Sequence, residues 1–218
     1  MQKVDIAVVD YGMGNLRSVS QAVEHVAAGK TVVVTSDAAV IEAADRIIFP
    51  GQGAMPDCMR ELDLRHLRSA VIHAAANKPF LGICIGLQML FETSEEGDTA
   101  GLGLLKGHVK RFAEKLQDSK GDKLKVPHMG WNQVYQSTNK QQQAHVLWAD
   151  IEDATRFYHV HSYYAVPTLA AITAGETAYP NRFTSAVAHE NIFATQFHVE
   201  KSAQAGLQLL RNFVHWKP

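Results

Sequence analysis

Cysteine is scarce in this sequence of 218 residues, which contains only Cys58 and Cys84. Two cysteines cannot form a disulfide framework, so we expect a reducing, cytoplasmic setting in which a thiol is free for chemistry. A surplus of charge is also missing, because 21 Lys and Arg stand against 22 Asp and Glu. We therefore expect neither nucleic acid nor an anionic membrane surface as a partner.

Long apolar runs and cofactor motifs are missing as well. No run is long enough to span a bilayer, and the first residues, with Asp5 among them, show no signal-peptide pattern. Histidine and cysteine do not occur at metal-ligand spacing, and Gly12-Met13-Gly14 lacks the third glycine of a dinucleotide fingerprint. We accordingly expect no metal and no organic cofactor.

The sequence does contain enough apolar material for a core, since 46% of its residues are hydrophobic, and we predict one domain over residues 1–218. Short β-branched runs alternate with segments of helical periodicity in the first part of the chain. The predicted strands span residues 3–9, 31–35, 46–49 and 79–83, and the predicted helices span 16–28 and 59–76, with another beginning within 87–91. This alternation favours a parallel sheet with right-handed crossover connections.

The second half of the chain has a different pattern, dominated by short strands and turns. Predicted strands lie within residues 101–112, 126–135, 156–166 and 170–176, followed by a hairpin over 183–197 and a closing amphipathic helix over 202–216. The predicted fold class is therefore α/β: a mostly parallel central sheet flanked by helices, with a smaller antiparallel sheet from the second half.

Cys84 stands where a predicted strand passes into a predicted helix. Gly82 and Gly86 flank it at two residues on each side, as in a nucleophile elbow, where only residues without a side chain fit beside the strained turn. The start of a helix also favours the thiolate over the thiol. Taken alone, the segment equally fits an inert cysteine packed between glycines. Cys58 has no base motif nearby, and we interpret it as inert.

A base for this nucleophile is found in the segment that contains His198 and Glu200. If the segment ends a strand, the two side chains point to the same side, because strand residues alternate with period two. A carboxylate so placed can orient the imidazole, and His198 can then take the proton of Cys84. A His and a Glu that merely share a solvent-facing strand end are the plainer alternative, which the elbow at Cys84 makes the weaker account.

Together the two segments resemble the class I glutamine amidotransferases, whose motifs are Gly-x-Cys-x-Gly-x-Gln and Phe-His-Pro-Glu. Further segments resemble one family of that class, the glutaminase subunits of imidazole glycerol phosphate synthase. These segments are residues 10–19, 50–55, 127–132, 161–163 and 200–202. Two positions depart from the family pattern. Val199 stands where proline is usual, and Gln52 stands where an apolar residue is common.

The resemblance implies a role for several residues beyond the Cys84, His198 and Glu200 triad. The implied oxyanion hole consists of Gln52, Gly53 and Ile85, and the implied substrate-binding residues are Gln88, His161, Ser162 and Tyr163. The implied partner interface consists of Asn15, Trp131, Tyr158 and Lys201. The implied substrate is L-glutamine, and the implied partner is a (β/α)-barrel cyclase subunit that receives the ammonia in histidine biosynthesis.

Three alternatives stay open at this point. The chain could serve another acceptor, such as anthranilate or pyridoxal phosphate synthesis, although the segment Pro127-His128-Met129-Gly130-Trp131-Asn132 argues against this. It could be a peptidase or general thiol hydrolase of similar fold. It could also be a binding subunit without catalysis, which the complete set of Cys84, His198 and Glu200 argues against.

Overall fold

Parallel strands from the first half of the chain form one side of a large central sheet. The computed structural model describes residues 3–117, 121–139 and 141–218. The strands on this side are β1 Ile6–Val9, β2 Val32–Thr35, β3 Arg46–Gly51 and β4 Phe80–Cys84, which pair in the order β2-β1-β3-β4. All residues of β1 and β4 are buried, as expected for strands covered on both faces.

Helices cover this sheet, and most present an apolar stripe to it. Their bounds are α1 Leu16–Val26, α2 Ala38–Ala43, α3 Met55–Leu64, α4 Arg68–Asn77, α5 Ile85–Gln88 and α6 Ala203–His215. Helix α1 buries Val19, Val23 and Val26, which lie three or four residues apart on one face. None of the helices in the described part of the chain has the length and apolar character that crossing a bilayer requires.

The rest of the chain forms mostly antiparallel strands, and all but two of those described join the same sheet. They are β5 Phe91–Ser94, β6 Thr99–Ala100, β7 Leu105–Arg111, β8 Leu116–Gln117, β9 Lys123–Leu124, β10 His128–Gln136, β11 Thr155–His161, β12 Tyr163–Pro167, β13 Thr173–Ala178, β14 Arg182–His189 and β15 Ile192–Thr195. Strand β15 pairs parallel with β4, and the order continues β15-β14-β12-β7-β5-β6. Strands β10, β11 and β13 branch from β14, while β8 and β9 form a separate antiparallel pair. The predicted fold class is confirmed.

Several element boundaries differ from the sequence prediction. The helix expected over 59–76 is two helices, because His66 adopts a left-handed conformation with φ 56° between them. The helix expected to begin within 87–91 is the single turn α5, after which the apolar run enters β5. Strand β3 also runs through Pro50 and Gly51, where we expected it to stop. The hairpin of β14 and β15 is confirmed by their antiparallel register.

Candidate active site

Cys84 is the last residue of β4 and lies on a strained turn. Its φ is 55° and its ψ is −110°, and α5 begins at the next residue. A side-chain carbon on Gly86 would overlap the carbonyl oxygen of Phe49, and one on Gly82 would lie 2.9 Å from the Cβ of Ala194. The glycines therefore allow β3, β4, β15 and α5 to approach closely enough to hold the cysteine in this conformation.

His198 and Glu200 lie just beyond the carboxyl end of β15, the strand beside β4. The Nδ1 atom of His198 is 2.9 Å from Oε1 of Glu200, and both side chains are buried. They share a side because residues Val199–Lys201 form a 3-10 turn. The strand alternation that we expected from the sequence is not the reason. On its other side, the His198 ring is close enough to Cys84 for the two groups to interact electrostatically, and both line one cavity.

The electrostatics of this group favour a charged imidazole. Burial by itself would lower the pKa of His198, but the neighbouring Cys84 thiolate and then Glu200 outweigh it and raise the pKa to about 10. The arrangement thus places a charged imidazole beside the Cys84 sulfur, with the Glu200 carboxylate behind the ring.

A cavity of about 250 Å³ opens over the cysteine. Its wall includes nine residues that the sequence analysis singled out: Gln52, Gly53, Cys84, Ile85, Gln88, His161, Ser162, Tyr163 and His198. Glu200 stands behind His198 and does not line the cavity. The sequence analysis missed Glu96, Pro127 and Val160, which also line it. Glu96 has a visible structural task, since its Oε2 accepts a hydrogen bond from the Met55 amide at the start of α3 (2.8 Å).

Gln88 is held in place by a second glutamine that sequence reasoning missed. Gln88 donates from Nε2 to Oε1 of Gln196 (3.0 Å) and to the Tyr163 carbonyl (3.2 Å). Gln196 donates in turn towards the Cys84 sulfur, at 3.9 Å. Among the described residues, Oε1 of Gln88 has no hydrogen-bond partner. This acceptor is therefore buried and unpaired, in a residue that lines the cavity. The position of Gln196, two residues before His198, was the one available signal.

The loop after β3 brings Gln52 and Gly53 to the same cavity. Gly51 is the register partner of Cys84, and Gly53 has a φ of 106°, which glycine adopts without strain. The Gln52 carbonyl accepts a weak hydrogen bond from the Cys58 thiol at 3.6 Å. Since a trans peptide places its N–H opposite its carbonyl, the Gly53 N–H points away from Cys58. Burial raises the pKa of Cys58 to about 11.

Three of the four residues expected at a partner interface lie together. Trp131 and Tyr158 are register partners on β10 and β11 with ring centroids 6.2 Å apart, and the Lys201 ammonium lies 5.9 Å from the Tyr158 ring. Trp131 is 48% exposed. Asn15 precedes α1, which packs against the Val199–Lys201 turn. We call this surface the Trp131 face.

The Trp131 face is hydrogen-bonded directly to the backbone of His198. The Tyr158 carbonyl accepts from the His198 amide (2.9 Å), and the Tyr158 amide donates to Oγ of Ser202 (3.0 Å). The Ser202 hydroxyl donates to the His198 carbonyl (2.6 Å). A change at Tyr158 therefore reaches the backbone of His198 through hydrogen bonds alone.

Comparison with known proteins agrees with this geometry. The sequence profile of the family described as glutamine amidotransferase class-I matches residues 7–216, so the chain belongs to the class-I glutamine amidotransferases and is a glutamine amidotransferase enzyme. The imidazole glycerol phosphate synthase subunit HisH of Aromatoleum aromaticum is 63% identical, covering 98% of this chain and 99% of that protein. The HisH subunit of Nitrosospira multiformis is 62% identical over the same shares. This likeness places the chain in the HisH family.

A solved structure supports the fold independently. PurLQS from Thermotoga maritima superposes with a TM-score of 0.65, at 19% identity, covering 97% of this chain and 98% of that one. At this level of identity the similarity extends to the fold alone.

Proposed function

We propose that this chain is a glutaminase subunit that hydrolyses L-glutamine to glutamate and ammonia, with Cys84 as nucleophile, His198 as acid and base, and Glu200 as the group that orients it. The observation that carries the proposal is the approach of Cys84, His198 and Glu200 beside one cavity. A strained turn, a charged imidazole and a buried carboxylate together meet the requirements of an activated thiol nucleophile.

The reaction follows from these positions. The Cys84 thiolate attacks the side-chain amide carbon of glutamine and forms a C–S bond, which places negative charge on the amide oxygen. His198 gives its proton to the amide nitrogen, and the C–N bond breaks. Ammonia departs, and a glutamyl thioester remains on Cys84. Neutral His198 then takes a proton from water, whose oxygen attacks the thioester. Collapse of that intermediate releases glutamate and restores the thiolate and the imidazolium.

Backbone amides near Cys84 are suited to the oxyanion. The Ile85 amide begins α5 directly after the nucleophile, and the Gly53 amide belongs to the loop that lines the same cavity. Donors placed before the charge develops lower the barrier without reorganising. We assign the oxyanion hole to these two amides, with Gln52 setting the orientation of the second peptide.

The far wall of the cavity suits the amino-acid end of glutamine. Residues 161–163 contribute backbone groups, and the free Oε1 of Gln88 accepts a hydrogen bond. The Glu96 carboxylate offers a negative charge for the α-ammonium group. A substrate held at both ends places its amide carbon at the sulfur.

The partner in this proposal is the cyclase subunit of imidazole glycerol phosphate synthase, because the curated relatives are named as subunits of that enzyme. The Trp131 face supports the choice of docking surface. Trp131 and Met129 are 48% and 63% exposed, and they lie two residues apart on β10. Exposed aromatic and methionine side chains are typical anchors of protein interfaces. Ammonia released at Cys84 would then be used by the partner to form imidazole glycerol phosphate and an aminoimidazole carboxamide ribotide.

The catalytic assignment is tested by replacing each thiol in turn. Cys84→Ala should lower the rate of glutamate release by at least about four orders of magnitude, because the covalent route is lost. The matched control Cys58→Ala removes the other thiol and should retain hydrolysis within about tenfold. In a complex with the cyclase, Cys84→Ala should still support cyclase turnover with an ammonium salt. Hydrolysis by Cys84→Ala near the wild-type rate would refute the assignment.

Association is tested separately from catalysis. Trp131→Ala should weaken co-purification with the cyclase subunit, with a loss of more than about 1 kcal/mol of binding free energy. Leu169→Ala is the matched control, since Leu169 is 57% exposed but lies outside the Trp131 face. If the two variants bind the cyclase equally well, the docking surface is elsewhere.

A further inference from the structure

Three buried histidines meet on one face of the β10–β11 pair. His159 and His161 lie two residues apart on β11 and so share a face, and His128 is the register partner of His161 on β10. One ring nitrogen from each residue can be chosen so that all lie within 4.8 Å of one another. We call these residues the histidine cluster. The sequence analysis expected no metal site, because His128 is far from the His159-Val160-His161 segment along the chain.

The rings already approach the arrangement of ligands around a shared ion. Nδ1 of His128 is 3.1 Å from Nε2 of His161. The ring centroids are 4.8 Å apart for His128 and His159, 5.1 Å for His128 and His161, and 5.5 Å for His159 and His161. Tetrahedral ligation with metal–nitrogen distances of about 2.0–2.1 Å separates nitrogens by roughly 3.3 Å, so a modest inward shift of His159 would complete it.

The burial of the His159 ring is not explained by hydrogen bonds within the described part of the protein. It is completely buried, and neither ring nitrogen has a hydrogen-bond partner among the described residues. A buried imidazole without partners is destabilising, and such a group in a native structure calls for an ion, a water or a function. His161 differs, because its Nδ1 donates to the Tyr163 carbonyl (2.8 Å) and its Nε2 faces the cluster.

We propose that His128, His159 and His161 form a binding site for a divalent transition-metal ion of the zinc class. Neutral imidazole is a preferred ligand of Zn²⁺ and Co²⁺, whereas Mg²⁺ and Ca²⁺ require oxygen ligands that the cluster does not offer. All three rings are buried, and their nitrogens lie close enough together to share one ion. The fourth position is left to water.

The hydrogen-bond partner of His161 already suits a bound ion, whereas the partner of His128 must change its orientation. The Tyr163 carbonyl fixes the His161 tautomer with Nε2 free, as outer-shell acceptors do in metal sites. The ion would replace the hydrogen bond between His128 and His161 and move the His128 proton to Nε2. That nitrogen is 3.1 Å from Nδ2 of Asn132, so the carboxamide must turn its oxygen towards the ring.

The site is distinct from the proposed glutaminase chemistry but adjoins it. His161 also lines the cavity over Cys84, and its carbonyl partner Tyr163 is shared with Gln88. An ion bound at Nε2 of His161 would make that wall of the cavity more rigid. Binding itself requires no glutamine turnover, and it can be measured whether or not the chain is active.

The test is a titration of the metal-depleted full chain with Zn²⁺, followed by calorimetry, and with Co²⁺, followed by visible absorption. We expect one equivalent of ion to bind and Co²⁺ to show the intense bands of tetrahedral nitrogen ligation. His159→Phe should weaken binding by more than about tenfold, since loss of even an outer-shell partner has that effect. Phenylalanine suits the site because Phe183 and Phe197 border the ring. His159→Leu serves as a second variant.

Two controls separate the cluster from other donors. His66→Ala removes an exposed histidine, and Cys84→Ala removes the thiol beside His198; both should bind one equivalent with unchanged affinity. An anomalous difference map of a zinc-soaked crystal should place the ion among the three rings. Three results would each overturn the site: no binding by the folded wild-type chain, equal affinity in wild type and both His159 variants, or loss of binding in Cys84→Ala.

Discussion

The chain contains two buried cysteines and several buried histidines, whose surroundings differ between two regions. One is the proposed catalytic edge, where β4 and β15 end; the other is the packed remainder of the domain, which we call the flanks. At the edge, Cys84 has a left-handed backbone and a charged imidazole beside it, and His198 has a raised pKa. In the flanks, burial raises the pKa of Cys58 to about 11 and lowers the pKa of His145 to about 4. Burial alone thus makes both residue types neutral and inert, and partners of opposite charge make them reactive.

The largest effect expected from this comparison is in thiol alkylation. With a pKa of about 11, only on the order of one Cys58 thiol in a thousand is ionised at pH 8, whereas Cys84 is paired with an imidazolium. Iodoacetamide should therefore label Cys84 much faster than Cys58, as measured by mass-spectrometric mapping over time. His198→Asn should remove most of the difference. Faster labelling of Cys58 would reverse the assignment of the two thiols.

A second prediction concerns the close backbone approach at Gly86, which the fold and the proposed hydrolysis both require. Gly86→Ala places a methyl group against the Phe49 carbonyl and should destabilise the chain by about 3 kcal/mol, with loss of glutamine hydrolysis. Gly29→Ala is the control. Gly29 has a φ of 76° but nothing within 4 Å, so only backbone strain of about 1 kcal/mol is expected. Urea denaturation measures both, and equal losses would show that the tight approach at Gly86 does not matter.

A third prediction concerns the pH dependence of the packed flank. The pKa of His145 in the folded chain is below its ordinary value because the ring is buried. Neutral His145 therefore contributes to the stability of the fold above about pH 6.5, and this contribution is lost as the pH falls towards 4. Protonation would also remove the acceptor of the Leu147 amide. This residue alone should make the chain about 2 kcal/mol less stable at pH 5 than at pH 7.

The measurement is the free energy of unfolding at both pH values for wild type and His145→Phe. The variant keeps an aromatic ring against Phe193 and Trp216 but cannot titrate. Its stability should fall less on acidification. An equal loss of unfolding free energy in both proteins would mean that the pKa of His145 is not lowered in the folded chain.

The smallest effect is expected at Val199, where the family usually has proline. His198 has a φ of −87° and a ψ of 103°, an extended conformation that a following proline favours. No bond from the Val199 amide is found in the described part of the chain. Val199→Pro should therefore change stability by less than about 1 kcal/mol and leave glutamate release near wild type. Loss of activity in a folded variant would show that this chain holds His198 in its own way.

Sequence periodicity predicted the alternating first half because buried parallel strands and amphipathic helices leave distinct patterns. It misjudged places where tertiary contacts decide. The apolar run over residues 87–91 fits the start of a long helix, but α5 ends at Gln88 and Phe91 begins β5, which pairs with β7. Nothing local marks His66 for a left-handed conformation, so the break between α3 and α4 was not visible.

The candidate site divides in the same way. Cys84, His198 and Glu200 stand in recognisable local motifs, whereas Glu96 reaches the cavity through tertiary contacts that no spacing encodes. His159 illustrates the limit most clearly. His159-Val160-His161 places two imidazoles on one face of a strand, but only the register of β10 against β11 adds His128.

Tyr158 belongs both to the Trp131 face and to the backbone hydrogen bonds of His198. Where binding at one site changes the affinity at another, the coupling is reciprocal. If a docked partner raises the affinity of the site for a glutamine analogue by some factor, the analogue must raise the affinity for the partner by the same factor. The chain would then hold its partner most tightly while the cavity is filled, and let go more readily once glutamate has left.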